Sequence, residues 1–525
     1  MNLKNLLSQV KTEFTVKQDI ERLGEVLISD LVIDSRKILT EKPAIFFALD
    51  GKTKNGTDFI ASAVAQGAKV VVAKVFCDDP AVISIKTEHP FQLLVECLKA
   101  FYVPLPTNIY AVTGTNGKTS TVEFIRQILN FLGKKSASIG TLGIICDEAV
   151  KPQLESFDLT TPDIVSLYKN LFILRENGIN DVAIEVSSIG LEQARIAGLK
   201  IAVAGFTNFT QDHLDYHKTM EEYFLSKMLL FEAAMESASP VVLNADIAEF
   251  ARIKKMCEAK KHFILDYGFK ASGLKILAIN QKDSGQAIEF ACGEKKYQTI
   301  LNITGEFQVY NSLCALGMVM ARHYLDEENL TALLQKFSEL SPASGRMQKV
   351  AALSNKAQVF IDFAHSPDAL ENVLKLARSL VYMGAQAIAS SSMSNNVVAK
   401  NSANAAAKNI APRLIILFGC GGDRDNKKRA IMGEVASRLA DLVIVTDDNP
   451  RTEDAAAIRK EILTACNLAK TIEIADRKEA IKQALKMLQA GDILILAGKG
   501  HEKYQIIGNK KFEFDEELIV KESLH

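Results

Sequence analysis

The run Thr113-Gly114-Thr115-Asn116-Gly117-Lys118-Thr119-Ser120 holds the residue types needed to grip a nucleoside triphosphate. Gly114 and Gly117 let backbone N–H groups close on phosphate oxygens, Lys118 can reach the β and γ oxygens, and the Thr119 hydroxyl suits Mg²⁺. Thr115, Asn116 and Ser120 complete the loop. Val112 stands where the strict phosphate-loop pattern places its first glycine. Three further groups bear on charge near such a loop. Glu185 ends the apolar run that starts at Asp181, and there it either holds Mg²⁺ or is solvated at a strand end. In Asp212-His213-Leu214-Asp215-Tyr216-His217, the two histidines are spaced to share a helix face, yet no cysteine lies near and Mg²⁺ prefers oxygen, so zinc is disfavoured. His213 is left as a metal ligand or a hydrogen-bonded structural histidine. Lys227 interrupts the apolar run Tyr223-Phe224-Leu225-Ser226-Lys227-Met228-Leu229-Leu230-Phe231; it either reaches outward to water, or is buried with a lowered pKa that leaves a neutral amine open to covalent modification. Thr160-Thr161-Pro162-Asp163 reads as a helix start with Pro162 at the first helical position, as hydroxyl donors to a substrate anion, or as both.

The elements that must position these groups follow from apolar patterning. Ile109 to Val112 forms a strand candidate before the loop; Val122, Ile125, Ile128, Leu129 and Leu132 follow at helical spacing, and Gly133 stops the run. A chain of 525 residues exceeds one compact core. Three α/β units are expected at 1–105, 106–340 and 341–525, with Val103-Pro104-Leu105-Pro106-Thr107 as the first linker. In the third unit, strand candidates at 358–363, 413–418, 442–446, 472–475 and 492–497 alternate with helical patterns, which argues a mainly parallel, doubly wound sheet. Four polar or Gly-rich clusters, beginning at His365, Gly419, Asp447 and Gly498, each follow such a strand. Ligands bind at the carboxyl ends of parallel strands, so one sheet edge should gather all four, facing the phosphate loop. Residues 383–410, rich in Ala, Ser and Asn, read as a surface insertion.

The acidic and basic residues nearly balance at a net charge of −1, and no Lys/Arg block compensates, so a nucleic-acid partner is not expected. Eight scattered cysteines without a C-x-x-C pair fit reduced thiols of the cytoplasm. No apolar stretch is long enough for a membrane span.

The ordered set Asp34-Ser35-Arg36, the loop at 113–120, Thr160-Thr161-Pro162, Glu185 to Ser188, Asp212 to His217, Lys227, Gly345-Arg346-Met347, Asp362 to His365, Gly419 to Asp425, Asp448 to Arg451 and Gly498 to Glu502 resembles the Mur ligase family over nearly the whole chain. The resemblance implies three domains: an N-terminal UDP-binding α/β domain, a central P-loop ATPase domain and a Rossmann-like C-terminal domain. It implies a cytoplasmic, monomeric enzyme of peptidoglycan precursor synthesis. Such an enzyme uses ATP and Mg²⁺ to join meso-diaminopimelate to UDP-N-acetylmuramoyl-L-alanyl-D-glutamate through an acyl phosphate. By the same resemblance, Lys118, Glu185, His213 and Lys227 serve catalysis, and Thr119, Glu185, His213 and a carbamate on Lys227 hold metal. Asn311, Arg346, Asp362 and His365 meet the nucleotide. Ser35 contacts the UDP-muramoyl part, and Thr160, Thr161, Ser187, Gln193 and Arg195 hold its peptide end. Arg424, Asp448, Asn449, Pro450, Arg451, Gly498 and Glu502 take the incoming amino acid, with Arg451 able to pair bidentately with the distal carboxylate that L-lysine lacks. Ile189, Gln308 and Thr57 depart from residues common in the family. The alternatives are a lysine-adding or folylpolyglutamate-type ligase, and a nucleotide-binding regulatory protein without catalysis.

Overall fold

Runs such as Val70–Ala73 and Leu414–Phe418 are buried at every position, as strands covered on both faces must be, and they pair parallel with runs of the same kind. The computed structural model describes residues 1–18, 23–51, 55–157, 159–282, 285–395 and 411–524, with the side chains of 215 and 383–395 left aside. Among these residues three sheets carry the architecture, a three-domain α/β fold. The first has five strands in the order Thr15–Val16, Ile83–Lys86, Val70–Ala73, Ala44–Phe47 and Asp30–Val32; only the first pairing is antiparallel.

The second sheet has ten strands. Its parallel centre runs Pro240–Asn244, Ile201–Phe206, Asn108–Thr113, Asp181–Glu185 and Ser136–Gly140, and the antiparallel strands Leu274–Lys282, Gly285–Cys292 and Lys295–Leu301 extend one side. The phosphate-loop strand Asn108–Thr113 is therefore central, between Ile201–Phe206 and the strand that delivers Glu185. The helix Lys118–Phe131 follows, burying Val122, Ile125, Ile128 and Leu129 against this sheet. It ends at Leu132, before Gly133 with φ +72°. The first two sheets share one apolar core, into which the helices Pro90–Phe101 and Ile164–Glu176 send Leu93, Leu94, Leu98, Leu167, Leu171 and Leu174.

The third sheet has six strands, ordered Gln348–Ala352, Gln358–Asp362, Ile493–Ala497, Leu414–Phe418, Leu442–Val445 and Thr471–Glu473, all parallel after the first pair. Apolar clusters cover both faces, as a doubly wound sheet requires. Four of these parallel strands end immediately before the four polar clusters, so the expected shared edge exists.

Local readings need correction in two places. Pro162 is not at the first helical position: the helix begins at Ile164, and Asp163 caps it by accepting from the Ser166 N–H. An acceptor one residue nearer the helix displaces the proline from that role. His213 and His217 do not share a helix face; His213 precedes the short helix Leu214–His217 with φ +55°. The expected insertion at 383–410 lies largely outside the described residues, although helical backbone from Pro367 continues to Asn395.

Candidate active site

The phosphate loop is shaped by close packing. A Cβ at Gly114 (φ +142°) would stand 2.0 Å from the Thr207 hydroxyl, and one at Gly117 (φ +84°) 2.3 Å from the Asn311 side-chain oxygen. Thr207 and Asn208, which sequence reasoning missed, hold the loop by its middle. The Asn116 N–H donates to Asn208 Oδ1 (2.8 Å), and Thr207 Oγ1 donates to the Asn116 carbonyl (2.6 Å). Lys118 Nζ donates to the carbonyls of Gly114 (3.0 Å) and Thr115 (2.7 Å). Lys227, on the helix Met220–Leu229, points inward rather than to water, and its Nζ donates to the same Gly114 carbonyl at 2.8 Å. Its ammonium lies 4.3 Å from the Tyr223 ring centre, and Tyr223 donates its phenol to Thr115 Oγ1 (3.2 Å). Burial first, and Lys118 second, hold the Lys227 amine well below the usual lysine range. Burial also lowers Lys118, against the opposing pull of Glu185 and Asp212.

Glu185 arrives fully buried at its strand end, with Oε1 accepting from the Thr141 N–H (2.8 Å) and Oε2 from the Thr141 hydroxyl (3.2 Å). Gly140 is required there, because a Cβ would come within 2.1 Å of Oε1. Burial raises the Glu185 carboxyl despite Lys118. A desolvated carboxylate beside the Thr119 hydroxyl is what a hard divalent cation would relieve, so these donors fit Mg²⁺. His213 keeps 42% of its side chain exposed beside Asp212, its ring 6.1 Å from that of Tyr223. His217 is buried and paired with Ser188 Oγ at 2.9 Å, which pins the segment carrying His213 to the helix Ser188–Glu192. Among the described residues no group of three or more His, Cys, Asp or Glu stands ready for a metal; the expected set includes only Glu185 and His213 of those types.

The third sheet closes over the loop. Arg346 Nη2 donates to Thr119 Oγ1 (3.2 Å), and its guanidinium carbon lies 4.8 Å from the Phe363 ring centre. Asp362 accepts from the N–H groups of Met347 (2.7 Å) and Ala364 (2.8 Å); burial lifts its carboxyl to about 6, opposed by Arg346. His365 pairs through Nδ1 with the Phe363 carbonyl at 2.8 Å. Desolvation and Lys428 bring its pKa down to about 4, and desolvation and Arg346 do the same for His501, also to about 4. Asp368, the last residue of the polar cluster that begins at His365, takes a part that the sequence did not assign to it. Its Oδ2 accepts from Asn116 Nδ2 (2.8 Å) and from the Thr210 hydroxyl (3.2 Å), clasping the loop from the third unit. Asn311 lies against Gly117 and donates to Gln308 Oε1 (3.1 Å), while the buried Gln308 Nε2 has no hydrogen-bond partner among the described residues.

Two groups flank this centre. Thr161 Oγ1 donates to the Glu185 carbonyl (3.0 Å) and pairs with Ser187 Oγ (3.1 Å), while Arg195 Nη1 donates to the Thr161 carbonyl (2.6 Å). Gln193 Oε1 accepts from Arg195 Nη2 (2.7 Å), and Thr160 Oγ1 pairs with the Thr141 hydroxyl oxygen at 3.2 Å. These five residues form one network with Glu185. On the other side, Asn449 Nδ2 donates to Glu502 Oε2 (2.8 Å), and Gly498 (φ +110°) donates its N–H to the Asp362 carbonyl (3.0 Å). Arg451, at φ +51°, follows Pro450 and donates from Nη1 to the Gly422 carbonyl (2.8 Å). Arg424 is exposed. Ser35 belongs to a different place, a cavity of about 740 Å³ lined also by Asp34, Lys37, Phe46 and Phe59, where Lys37 bonds Asp163 at 3.0 Å.

The chain is similar to known proteins over nearly its whole length. Residues 112–319 match the Mur ligase middle domain, and 391–500 match the Mur ligase glutamate ligase domain. Relatives named UDP-N-acetylmuramoyl-L-alanyl-D-glutamate--2,6-diaminopimelate ligase include one from Chelativorans sp. (strain BNC1), 38% identical over 95% of each chain. Another, from Rickettsia bellii, is 40% identical over 90% of this chain and 92% of its own. The chain belongs to the Mur ligase family. A solved structure titled as the same ligase covers 96% of each chain with a TM-score of 0.61 at 29% identity. A folylpolyglutamate synthase from Mycobacterium tuberculosis covers 77% of this chain and 90% of its own with a TM-score of 0.56; at 16% identity it shares the fold alone. As in other Mur ligases, the chemistry is ligation dependent on ATP. No helix among the described residues is long and apolar enough to cross a membrane.

Two expectations follow for this Mur ligase. Asp368→Ala removes the acceptor shared by Asn116 and Thr210 and should lower kcat/KM for ATP by about tenfold or more, the loss of one or two hydrogen bonds to a charged group. Asp368→Asn keeps an oxygen there and should recover most of it. The second concerns His365 and His501. An imidazole with a folded pKa of about 4 against 6.5 unfolded binds its proton later than the unfolded chain does, so its share of stability falls as pH drops from 6.5 towards about 4. Nitrogen NMR shifts of both should still report neutral rings at about pH 5.5, where an ordinary histidine is mostly protonated.

Proposed function

We propose that this Mur ligase joins meso-diaminopimelate to the D-glutamate carboxylate of UDP-N-acetylmuramoyl-L-alanyl-D-glutamate, with ATP converted to ADP and phosphate, in peptidoglycan precursor synthesis in the cytoplasm. The observation that carries the reading is the way one loop is tied to both flanks. Asn116 and Thr119 meet Asp368 and Arg346 of the third sheet, while Glu185 shares Thr141 and Thr161 with the group proposed to hold the peptide end. Names of relatives at 37–40% identity over nearly the whole chain support the substrates.

In this reading the loop N–H groups and the N-terminus of the helix Lys118–Phe131 receive the phosphates, and Lys118 turns from its carbonyl partners to the transferring group. Thr160, Thr161, Ser187, Gln193 and Arg195 hold the D-glutamate carboxylate in line. A carboxylate oxygen bonds the γ-phosphorus as the bond to ADP breaks, and the amine of the incoming residue then attacks the acyl carbon, releasing phosphate and one proton. Lys118 and Arg346 offset the negative charge that gathers. Asn311, Asp362 and His365 stand on the nucleotide side. Ser35 would meet the UDP-muramoyl part in its cavity. Thr119, Glu185, His213 and a carbamate on Lys227 would hold Mg²⁺, which when bound supplies positive charge at the phosphoryl group.

The carbamate is favoured because an amine held below its usual pKa is a nucleophile at neutral pH. Its nitrogen bonds the carbon of CO₂ and sheds a proton, placing an anion where two lysine side chains otherwise crowd one carbonyl. Arg424, Asp448, Asn449, Pro450, Arg451, Gly498 and Glu502 would receive the amino acid, with Arg451 reading the distal carboxylate.

Purified protein with ATP, Mg²⁺ and the UDP-muramoyl dipeptide should release phosphate with meso-diaminopimelate, and about a hundredfold less efficiently with L-lysine, as loss of one bidentate charge pair implies. Equal efficiencies would remove the role of Arg451, and no amino-acid-dependent release with either would remove the ligase reading. Protein equilibrated with ¹³C-bicarbonate should show a carbamate carbon resonance that Lys227→Ala lacks, and the variant's activity should recover in part with short carboxylates. Full unassisted activity of Lys227→Ala would refute the modification.

A further inference from the structure

The amino-acid site just described sets two carboxylates, Asp448 and Glu502, in a buried pocket, and nothing in the scheme above says what balances them. Lys499 follows Gly498 at the end of the strand Ile493–Ala497, and its side chain is wholly buried. Its Nζ donates to Asn449 Oδ1 (2.9 Å) and to the Tyr504 carbonyl (2.7 Å), and lies 3.4 Å from both Asp448 Oδ1 and Glu502 Oε2. The rings of Tyr504 and Phe514 stand on it with centres at 5.9 Å.

We propose that Lys499 is a positioning residue that sets both the charge and the amide orientation of the amino-acid site; the inference rests on the ligase reading above. Asn449 Oδ1 is taken by Lys499 and by the Ile506 N–H (2.9 Å), so its amide nitrogen must face Glu502. Reversing the amide would set its NH₂ group against two donors. The charges matter more. Asp448, Glu502 and Lys499 together leave one net negative charge, the complement of a single incoming ammonium group. Asp448 Oδ1 is buried and has only the long 3.4 Å contact with Lys499 among the described residues, which leaves it as an acceptor for that ammonium.

Other charged groups near the pair do not serve instead. Arg477 faces Asp448 but is committed to Glu516 (2.8 Å) and the Ala497 carbonyl (2.7 Å), and His365 is neutral at pH 7. Burial alone would raise Asp448, and Lys499 foremost keeps it below the usual carboxylate range. Glu502 is already raised by burial and by Asp448. Without Lys499 the two carboxylates would share a proton, because two like charges largely withdrawn from water on either side of the same site disfavour one another's ionisation. The shared proton would occupy an oxygen that the substrate ammonium needs, and binding would have to displace it. That effect is present at low pH and is lost as pH rises through the pair's raised pKa.

The test is Lys499→Met, which keeps the length and apolar stem of the side chain, with KM measured separately for meso-diaminopimelate and ATP. Relative to wild type, KM for meso-diaminopimelate should rise about tenfold or more at about pH 7, the increase should shrink towards about pH 9, and KM for ATP should stay within about twofold. A second variant carries Lys499→Met with Glu502→Gln, which returns the cluster to one negative charge. It should fold as judged by ADP binding, even if the single variant does not, and its KM for meso-diaminopimelate should lose the pH slope. An unchanged KM in Lys499→Met, a rise equal at every pH, or a double variant that keeps the slope or fails to bind ADP would each overturn the proposal. Wild-type protein without amino-acid-dependent phosphate release would overturn the ligase reading itself, which separates the two failures.

Discussion

One carbonyl oxygen, that of Gly114, organises the nucleotide end of the site. It accepts from Lys118 and from Lys227, two lysine side chains from different helices, in a place where burial disfavours charge on both. Such crowding persists only because the surroundings leave no other conformation. Gly114 cannot move outward, since Thr207 fills the space where a side chain would be. Asn116 cannot move sideways, since Asn208 and Thr207 hold both its N–H and its carbonyl. Lys227 cannot turn to water, since the helix that carries it is packed by Tyr223, Phe224 and Met228. The loop is thus held ready for anions, and the crowded cations relax when an anionic group arrives between them.

The rest of the molecule serves that condition. The central position of Asn108–Thr113 brings the strands ending in Phe206 and Glu185 alongside, so Thr207 and the buried carboxylate reach the loop from opposite neighbours. The third sheet adds Arg346 and Asp368, a cation toward the Thr119 hydroxyl and an anion toward the Asn116 amide. Opposite charges placed on two ends of one loop fix how the upper sheet is turned as well as how near it lies. That orientation decides where the clusters at its strand ends are presented.

Much of this was legible in the sequence where the signal is local. The phosphate loop is declared by glycines, Lys118 and Thr119 between a strand and a helix, and the third sheet's edge by polar clusters after apolar runs. The signal failed where contact partners are distant. Thr207 and Asn208 carry no motif of their own, and Asp368 is marked only as part of the cluster at His365; the pairing of parallel strands and the closing of the third sheet bring all three within reach of residue 116. For Lys227, an apolar run says that neighbours are buried but not which way one lysine turns; packing on both sides decides that. The helix start at 160–164 was misjudged because proline preference was weighed above the carboxylate next to it, and Asp163 satisfies an N–H that Pro162 cannot.

Buried lysines recur at both ends of the site, and their different partners explain different uses. Lys227 has a carbonyl and a phenol ring against it, and burial together with Lys118 outweighs the pull of Asp212, so its pKa falls well below the usual lysine range. Lys499 lies between two carboxylates, an amide oxygen and a carbonyl, so its charge is what holds the group together. The same side chain thereby meets like charge in one pocket and opposite charge in the other. Neither outcome depends on depth of burial, which is alike for the two; it depends on which charges the fold has placed within about 4 Å.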